Sequence, residues 1–379
     1  MTENTATPSV TFCITELDVG GAEKAMVRIA IGLQEAGWRV RVISLRDAGA
    51  MTEPLRAAGI PVTALGCGGF ADARALWRLA KELKRNPTDL VQCFLHQANI
   101  YGRLAVRFGV RPKRLRPVVV SGIRVADRRS WVILTDRMTR FCSDHYIAVS
   151  QHVAATHAEL CGLKDDAISF IPNGVEIPTE PVHATDTAFH KLLFVGRLTR
   201  QKAPLDLLEA FHLLPDVVRR RCLLNFVGDG PLASSLRTEI DRLRLNDSVH
   251  LVGRSNSVPD LMRDSTLLVL PSRWEGMPNV VLEAMAIGLP VLATSIDGTR
   301  DIIDDCVTGW LVPPSDPKAL SQRIATVLND SAGCSAIAQA AQAHVTQHFS
   351  WQAAIGRYDR LLRDLVAREG ENRSGETPF

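Results

Sequence analysis

The chain has 379 residues, 46% of them hydrophobic and 22% charged, with a net charge of +3. That composition excludes a disordered or fibrous protein, and the length exceeds what one hydrophobic core normally organises, so two domains are expected. No apolar run reaches the roughly 18–20 residues of a membrane span.

Met1 to Pro8 has neither the basic nor the apolar region of a secretory signal. The eight cysteines are scattered and contain no Cys-x-x-Cys pair. A cytoplasmic protein with reduced thiols, without zinc or a disulfide frame, is therefore expected. In the first half, strands are predicted at 10–15, 40–45, 61–65, 90–95, 118–121 and 146–150. Helical spacing marks 22–36 and 73–85 among others. The first strand leads through Glu16 to Gly20-Gly21-Ala22-Glu23, where two glycines let a ligand approach the backbone. Taken alone this also fits a plain tight turn. It is not Gly-x-Gly-x-x-Gly, which argues against a dinucleotide fingerprint. His96 follows the strand at 90–95, at a carboxyl end, and also fits a hydrogen-bonded loop histidine. Nothing in the sequence around His145, His152 or His157 points to catalysis.

Residues 1–180 carry 23 Lys and Arg against 18 Asp and Glu. Much of this excess lies at 103–129, where Arg103, Arg107, Arg111, Lys113, Arg114, Arg116, Arg124, Arg128 and Arg129 face only Asp127. The stretch fits either a solvated face or a patch for an anionic membrane surface or acidic acceptor. No recognition motif for nucleic acid accompanies it. A Pro-rich, aperiodic segment at about 177–190 marks the expected domain join.

In the second half, strands are predicted at 192–196, 223–228, 249–252, 267–270 and 291–293, with helices at 232–243, 280–287 and 318–328 between them. Such alternation predicts an α/β fold of two doubly wound, Rossmann-like parallel-sheet domains. The boundaries are expected at 1–180 and 181–350, with a last helix from Trp351 to about Arg368 and a frayed tail from Glu369. The strand at 192–196 ends in Gly196-Arg197, and Lys202 follows. Cations at the carboxyl end of a strand suit a diphosphate. Val227-Gly228-Asp229-Gly230-Pro231 is a third Gly-rich strand exit, equally compatible with a bare turn.

The densest signal is Glu275-Gly276-Met277-Pro278-Asn279 followed by Glu283, a turn opening into a helix. Its first N–H groups and positive dipole end suit an anion, and its carboxylates suit sugar hydroxyls. Eight residues along a helix span about 12 Å, beyond the ~5–9.5 Å of a glycosidase carboxyl pair. A hydrolase dyad is therefore not the natural reading.

Together with Ile171-Pro172-Asn173-Gly174-Val175, Glu283-Ala284-Met285-Ala286, Gly288-Leu289-Pro290-Val291 and Gly309-Trp310-Leu311-Val312, these pieces span residues 12 to 350. In order and spacing they resemble the retaining glycosyltransferases of family 4, also called group 1. The resemblance implies the GT-B fold, two Rossmann-like domains facing across a cleft: an N-terminal acceptor domain, a C-terminal donor domain, and a last helix returning to the first. It implies that Arg197 and Lys202 hold the diphosphate of a nucleotide sugar, most simply a UDP-sugar. Glu283 would take the ribose hydroxyls. Glu275 would meet the transferred sugar, supported by the backbone of Gly276, Met277, Pro278 and Asn279. The base would lie near Gly253 and Arg254. Gly21 would approach the reacting centre, and His96 would lie near sugar or acceptor. No metal and no cofactor are implied beyond the donor substrate. The acceptor would be a saccharide or a lipid-linked acceptor, which no motif at 122–144 specifies. A sugar-nucleotide epimerase and a two-domain solute-binding protein are the rival readings.

Overall fold

The structure is a computed structural model describing residues 7–69, 72–110, 112, 116–125, 127, 129–178 and 189–375. Apolar runs rich in Val, Ile, Leu and Phe form thirteen strands among these residues, all paired in parallel. In the first sheet they are β1 (Ser9–Ile14), β2 (Arg39–Ser44), β3 (Val62–Ala64), β4 (Leu90–Phe94), β5 (Val118–Ile123), β6 (His145–Ala148) and β7 (Ile168–Phe170). Their order is β3-β2-β1-β4-β5-β6-β7. The second sheet holds β8 (His190–Val195), β9 (Cys222–Val227), β10 (Val249–Gly253), β11 (Leu267–Leu270), β12 (Val291–Thr294) and β13 (Trp310–Val312), ordered β10-β9-β8-β11-β12-β13.

Burial explains which runs became which strands. Every residue of β1, β4, β5, β11 and β12 is buried, as expected where helices cover both faces of a parallel sheet. The edge strands β3, β7 and β10 are only partly buried. In β1, Val10 pairs with Val40 of β2 on one side and Leu90 of β4 on the other. The sheets therefore carry the doubly wound order, reversing direction between β1 and β4 in one and between β8 and β11 in the other.

The covering helices follow from their own sequences. In the helix Ala73–Arg85, Ala75, Leu79 and Leu83 recur every four residues and are all buried. Asp72 caps it, accepting from the N–H groups of Arg74 at 2.9 Å and Ala75 at 3.3 Å.

The chain forms two compact units, Met1–Gly174 with Trp351–Phe379, and Val175–Ser350. The last helix, Trp351–Gly375, packs within the first unit on the helix Gly21–Glu35. Ile355 fills the space over Gly32, where an added Cβ would lie 2.1 Å from Ile355 Cδ1. Trp38 donates to Asp359 at 2.7 Å, and Tyr358 and Leu362 join the core under β1. The frayed tail expected from Glu369 is instead helical to Gly375. Residues 376–379, and 179–188 of the expected join, lie outside the described residues.

Candidate active site

In the second unit the exits of β8 and β11 lie side by side where the strand order reverses, so their following loops diverge and leave a crevice. Lys202 comes from the first loop and Glu275 from the second. Lys202 Nζ lies 2.5 Å from Glu275 Oε1, and Ser272 Oγ donates to the same oxygen at 2.7 Å. Glu275 is only 8% exposed. The loops are also stitched through their backbones. Arg273 N donates to Gln201 O at 2.8 Å, and Gln201 Nε2 donates to Trp274 O at 3.0 Å. Arg273 completes the tie by pairing with Asp206 at 3.0 Å. Thr294, at the end of β12, donates to Ser272 O from below.

Residues 276–280 open the helix Asn279–Ala286, with Pro278 at the N-cap, a residue whose side chain makes no capping hydrogen bond. Gly276, Met277 and Pro278 are buried; Glu283 stands exposed one turn into the helix while Val281, Leu282 and Ala284 pack inward. Arg197 follows Gly196 and is exposed. Gly196 itself packs on Lys202, since an added Cβ would sit 3.5 Å from Lys202 Cδ.

Behind this pair the β9 exit presses on the β8 exit. Gly228 has φ +135°, and a Cβ there would lie 2.0 Å from Gly196 O. Only glycine fits both constraints. Gly228 N donates to Gly253 O at 2.8 Å, which ties the β10 end, with Gly253 at φ +76°, to the same cluster. Arg254 projects outward and pairs loosely with Asp229 at 3.8 Å. The structure thus gathers Gly196, Lys202, Glu275 and the 276–279 turn around one sheet end. Sequence motifs carried Ser272 without a role; its hydroxyl proves to be an anchor for Glu275. Gln201 and Arg273 likewise stood in motifs without a role, and Thr294 had no signal beyond its place at a strand end.

The first unit builds its strand exits differently. Gly21 is exposed at the start of its helix, and Gly20 precedes it in extended conformation. A Cβ on Gly20 would meet Glu23 Oε2 at 2.1 Å, so its absence makes room for that carboxylate. Burial pushes the Glu23 carboxyl up from its ordinary value. Leu95, with φ +72°, turns β4 into the helix His96–Leu104.

His96 Nε2 lies 3.0 Å from Thr135 Oγ1, and Nδ1 lies 3.6 Å from Asp136 Oδ2. Asp136 is buried and ion-paired with Arg103, which is fully buried. Arg103 also donates to Ser121 at 2.9 Å and Thr139 at 3.0 Å, and lies over the Tyr146 ring at 5.0 Å. Burial alone would raise the Asp136 carboxyl. The hydrogen bond to His96 and the charge of Arg103 outweigh it and hold the group well below the carboxylate range. His157 Nε2 stands 3.8 Å from Asp136, and burial lowers its pKa. A cavity of about 210 Å³ opens here, lined among others by His96, Asn99, Arg124, Asp136 and His157. His157 is a member of this site that its sequence surroundings did not reveal.

Among the described residues, ligand atoms of Asp136, His157 and Cys161 lie within 4.8 Å of one another. The Arg103 guanidinium already contacts Asp136 and supplies the compensating charge there. A cation would have to share that carboxylate with it.

The basic stretch 103–129 is not one exposed patch. Arg103 is core, Arg124 is half-buried and bonded to Asn173, and Arg116 donates to Val110 O at 3.0 Å. Arg129 pairs with Asp127 and Arg107 is exposed. Arg111, Lys113, Arg114 and Arg128 lie outside the described residues. The run looked uniform because charge was counted without the acidic partner thirty-three residues on that draws Arg103 inside. Among the described residues, no helix is long and apolar enough to cross a membrane.

Comparison with known proteins matches residues 179–344 to the glycosyl transferases group 1 and residues 19–177 to glycosyltransferase family 4. A relative is the UDP-Gal:alpha-D-GlcNAc-diphosphoundecaprenol alpha-1,3-galactosyltransferase of Escherichia coli. It is 27% identical over 310 residues, covering 75% of this chain and 79% of that one. Another is the Campylobacter jejuni GalNAc-alpha-(1->4)-GalNAc-alpha-(1->3)-diNAcBac-PP-undecaprenol alpha-1,4-N-acetyl-D-galactosaminyltransferase, 26% identical over 340 residues and covering 85% and 89%. Among solved structures, Anabaena Alr3699/HepE in complex with UDP matches with a TM-score of 0.81 at 21% identity, covering 94% of this chain and 100% of that one. At that identity the likeness concerns the fold.

Proposed function

The chain belongs to the family 4, group 1 glycosyltransferases, and we propose that it moves a sugar from a UDP-sugar to a lipid-linked saccharide with retention of anomeric configuration. The observation carrying this reading is the Lys202–Glu275 pair at the switch point of the second sheet, beside the start of the helix Asn279–Ala286. The UDP bound by the Anabaena neighbour and the donor and acceptor named for the Escherichia coli relative support the substrate classes.

The roles follow from charge. Breaking the anomeric bond leaves negative charge on the departing diphosphate. Lys202 and Arg197, with the amide groups of 276–279, stabilise that charge from fixed positions. These residues do the work a metal ion would otherwise do, so transfer proceeds without one. Glu275, held by Lys202 and Ser272, meets the transferred sugar. Glu283 takes the ribose hydroxyls from its exposed place on the helix. Gly253 and Arg254 lie toward the base. In the first unit, Gly21 and His96 serve the acceptor side from the exits of β1 and β4.

The test is a panel of nucleotide sugars scored for hydrolysis and then for transfer to lipid-linked saccharides, with proton NMR of the product's anomeric centre. Thermal stability with UDP, GDP and ADP accompanies it. A ligand at a hundred times its Kd stabilises by about 2.7 kcal/mol. UDP should shift the melting temperature most, EDTA should leave turnover unchanged, and an inverted product would refute retention.

A further inference from the structure

The helix Ser130–Thr139 and the turn Arg140–Cys142 after it carry three distinct faces. Val132, Asp136 and Thr139 point into the unit. Trp131, Leu134, Met138 and Phe141, spaced three, four and three residues apart, point away and are 46%, 57%, 64% and 65% exposed. At about 100° per residue that spacing confines them to less than a quarter of the circumference. Arg137 and Arg140 stand exposed beside the stripe, as does Arg129, stacked on the Trp131 ring at 5.0 Å. The one acidic residue in the segment 130–142, Asp136, is buried against Arg103.

Four large apolar side chains in a row are a poor surface to leave in water. Flanking arginines with no exposed acid on the same helix favour an acidic partner over a basic one. Tryptophan with arginine is also the pairing that settles at a lipid headgroup boundary. The stripe is continuous with the candidate site, because the Trp131 ring meets the His96 ring edge-on at 5.4 Å between centroids.

We propose that this stripe docks the first unit on an anionic lipid bilayer, so that a lipid-linked acceptor reaches His96 past Trp131. The identity of the cargo rests on the acceptor reading above; the docking itself does not. The surface shares only Arg129 with the basic stretch 103–129, two of whose arginines are turned inward.

The full chain is sedimented with phosphatidylcholine vesicles with and without phosphatidylglycerol. Wild type should co-sediment with the anionic vesicles and be released by salt, since the attraction to anionic headgroups is screened. The double variant Leu134→Gln/Met138→Gln should lower the partition coefficient by about tenfold or more, as two of four inserted side chains are lost. Arg137→Glu should weaken binding to the anionic vesicles alone. Trp77→Gln, which removes an equally exposed aromatic from another helix, should bind as wild type. No binding by wild type, or unchanged binding by the double variant and Arg137→Glu, overturns the proposal. UDP should raise the melting temperature of wild type and the double variant alike. A missing UDP shift would sink the donor reading and leave the sedimentation result standing.

Discussion

The two units solve the same structural problem with opposite means. Both reverse strand order at the centre of a parallel sheet and place their candidate residues at the diverging exits. The second unit shapes its exits mainly with backbone: Gly228 against Gly196, Arg273 N on Gln201 O, and one short ion pair on top. The first unit shapes its exits with buried side-chain charge, Arg103 to Asp136 to His96. A backbone-built site suits a ligand that stays the same across a family. A side-chain-built one can be rewritten residue by residue for a different acceptor.

The sharpest way to break this comparison is to remove the charge on which the first unit relies. Asp136→Asn leaves Arg103 buried without its anion, and loss of one partner of a buried pair costs about 3–5 kcal/mol. The effect should appear as a lowered melting temperature at neutral pH. It should also change the acid limb. The Asp136 carboxyl is held below its ordinary value, so its contribution is complete above about pH 4 and is withdrawn as pH falls toward the lower native value. The Asn variant should therefore lose stability less steeply below about pH 4. Burial lowers His157, so acidification below about pH 6.5 removes stability in a separate window that His157→Gln should flatten. If Asp136→Asn melts like wild type and titrates like it, the charge network is not what holds this unit.

Next comes the short Lys202–Glu275 pair of the second unit. Lys202→Ala should reduce turnover by about 10²–10³-fold, the usual loss for one preorganised group facing developing charge. The reduction should be in kcat more than KM. Turnover near wild type would show that backbone alone suffices. Gly228→Ala tests the backbone directly. It should destabilise by roughly 1–3 kcal/mol, because the added Cβ meets Gly196 O in a conformation side chains avoid. Calorimetry should assign the loss to the second unit. Smallest is Arg254→Ala, whose exposed, loose pair with Asp229 predicts a stability change within about 0.5 kcal/mol. Donor KM should change little if the base is read by backbone.

How much of this was legible in sequence follows the same division. The helix Ala73–Arg85 has the predicted bounds because an Asp cap and a four-residue apolar repeat mark it. β11 does too, because four buried aliphatics end at Pro271. The three-residue strands β7 and β13 are too short for any period to show. Lys202 and Glu275 were both legible as candidate residues, since Gly-rich strand exits announce themselves locally. Their meeting is a tertiary fact, as is the pairing of Arg103 with Asp136. No local pattern distinguishes the one arginine of a basic run that goes inside. The exposed stripe from Trp131 to Phe141 illustrates the same blindness from the other side: its spacing looks like an ordinary core face until the buried face is seen to be occupied by Val132, Asp136 and Thr139.

The clasp of Ile355 over Gly32 has a consequence for how the protein is made. The first unit draws on segments from both sides of the second, whereas the second is one uninterrupted segment. The nascent first sheet must wait, with the hydrophobic bed for Tyr358 and Leu362 uncovered, until the helix Trp351–Gly375 emerges. Chains stalled before Trp351 should be cut by protease in residues 1–174 and spared in 175–350, and chains extended past the helix Trp351–Gly375 should resist in both units.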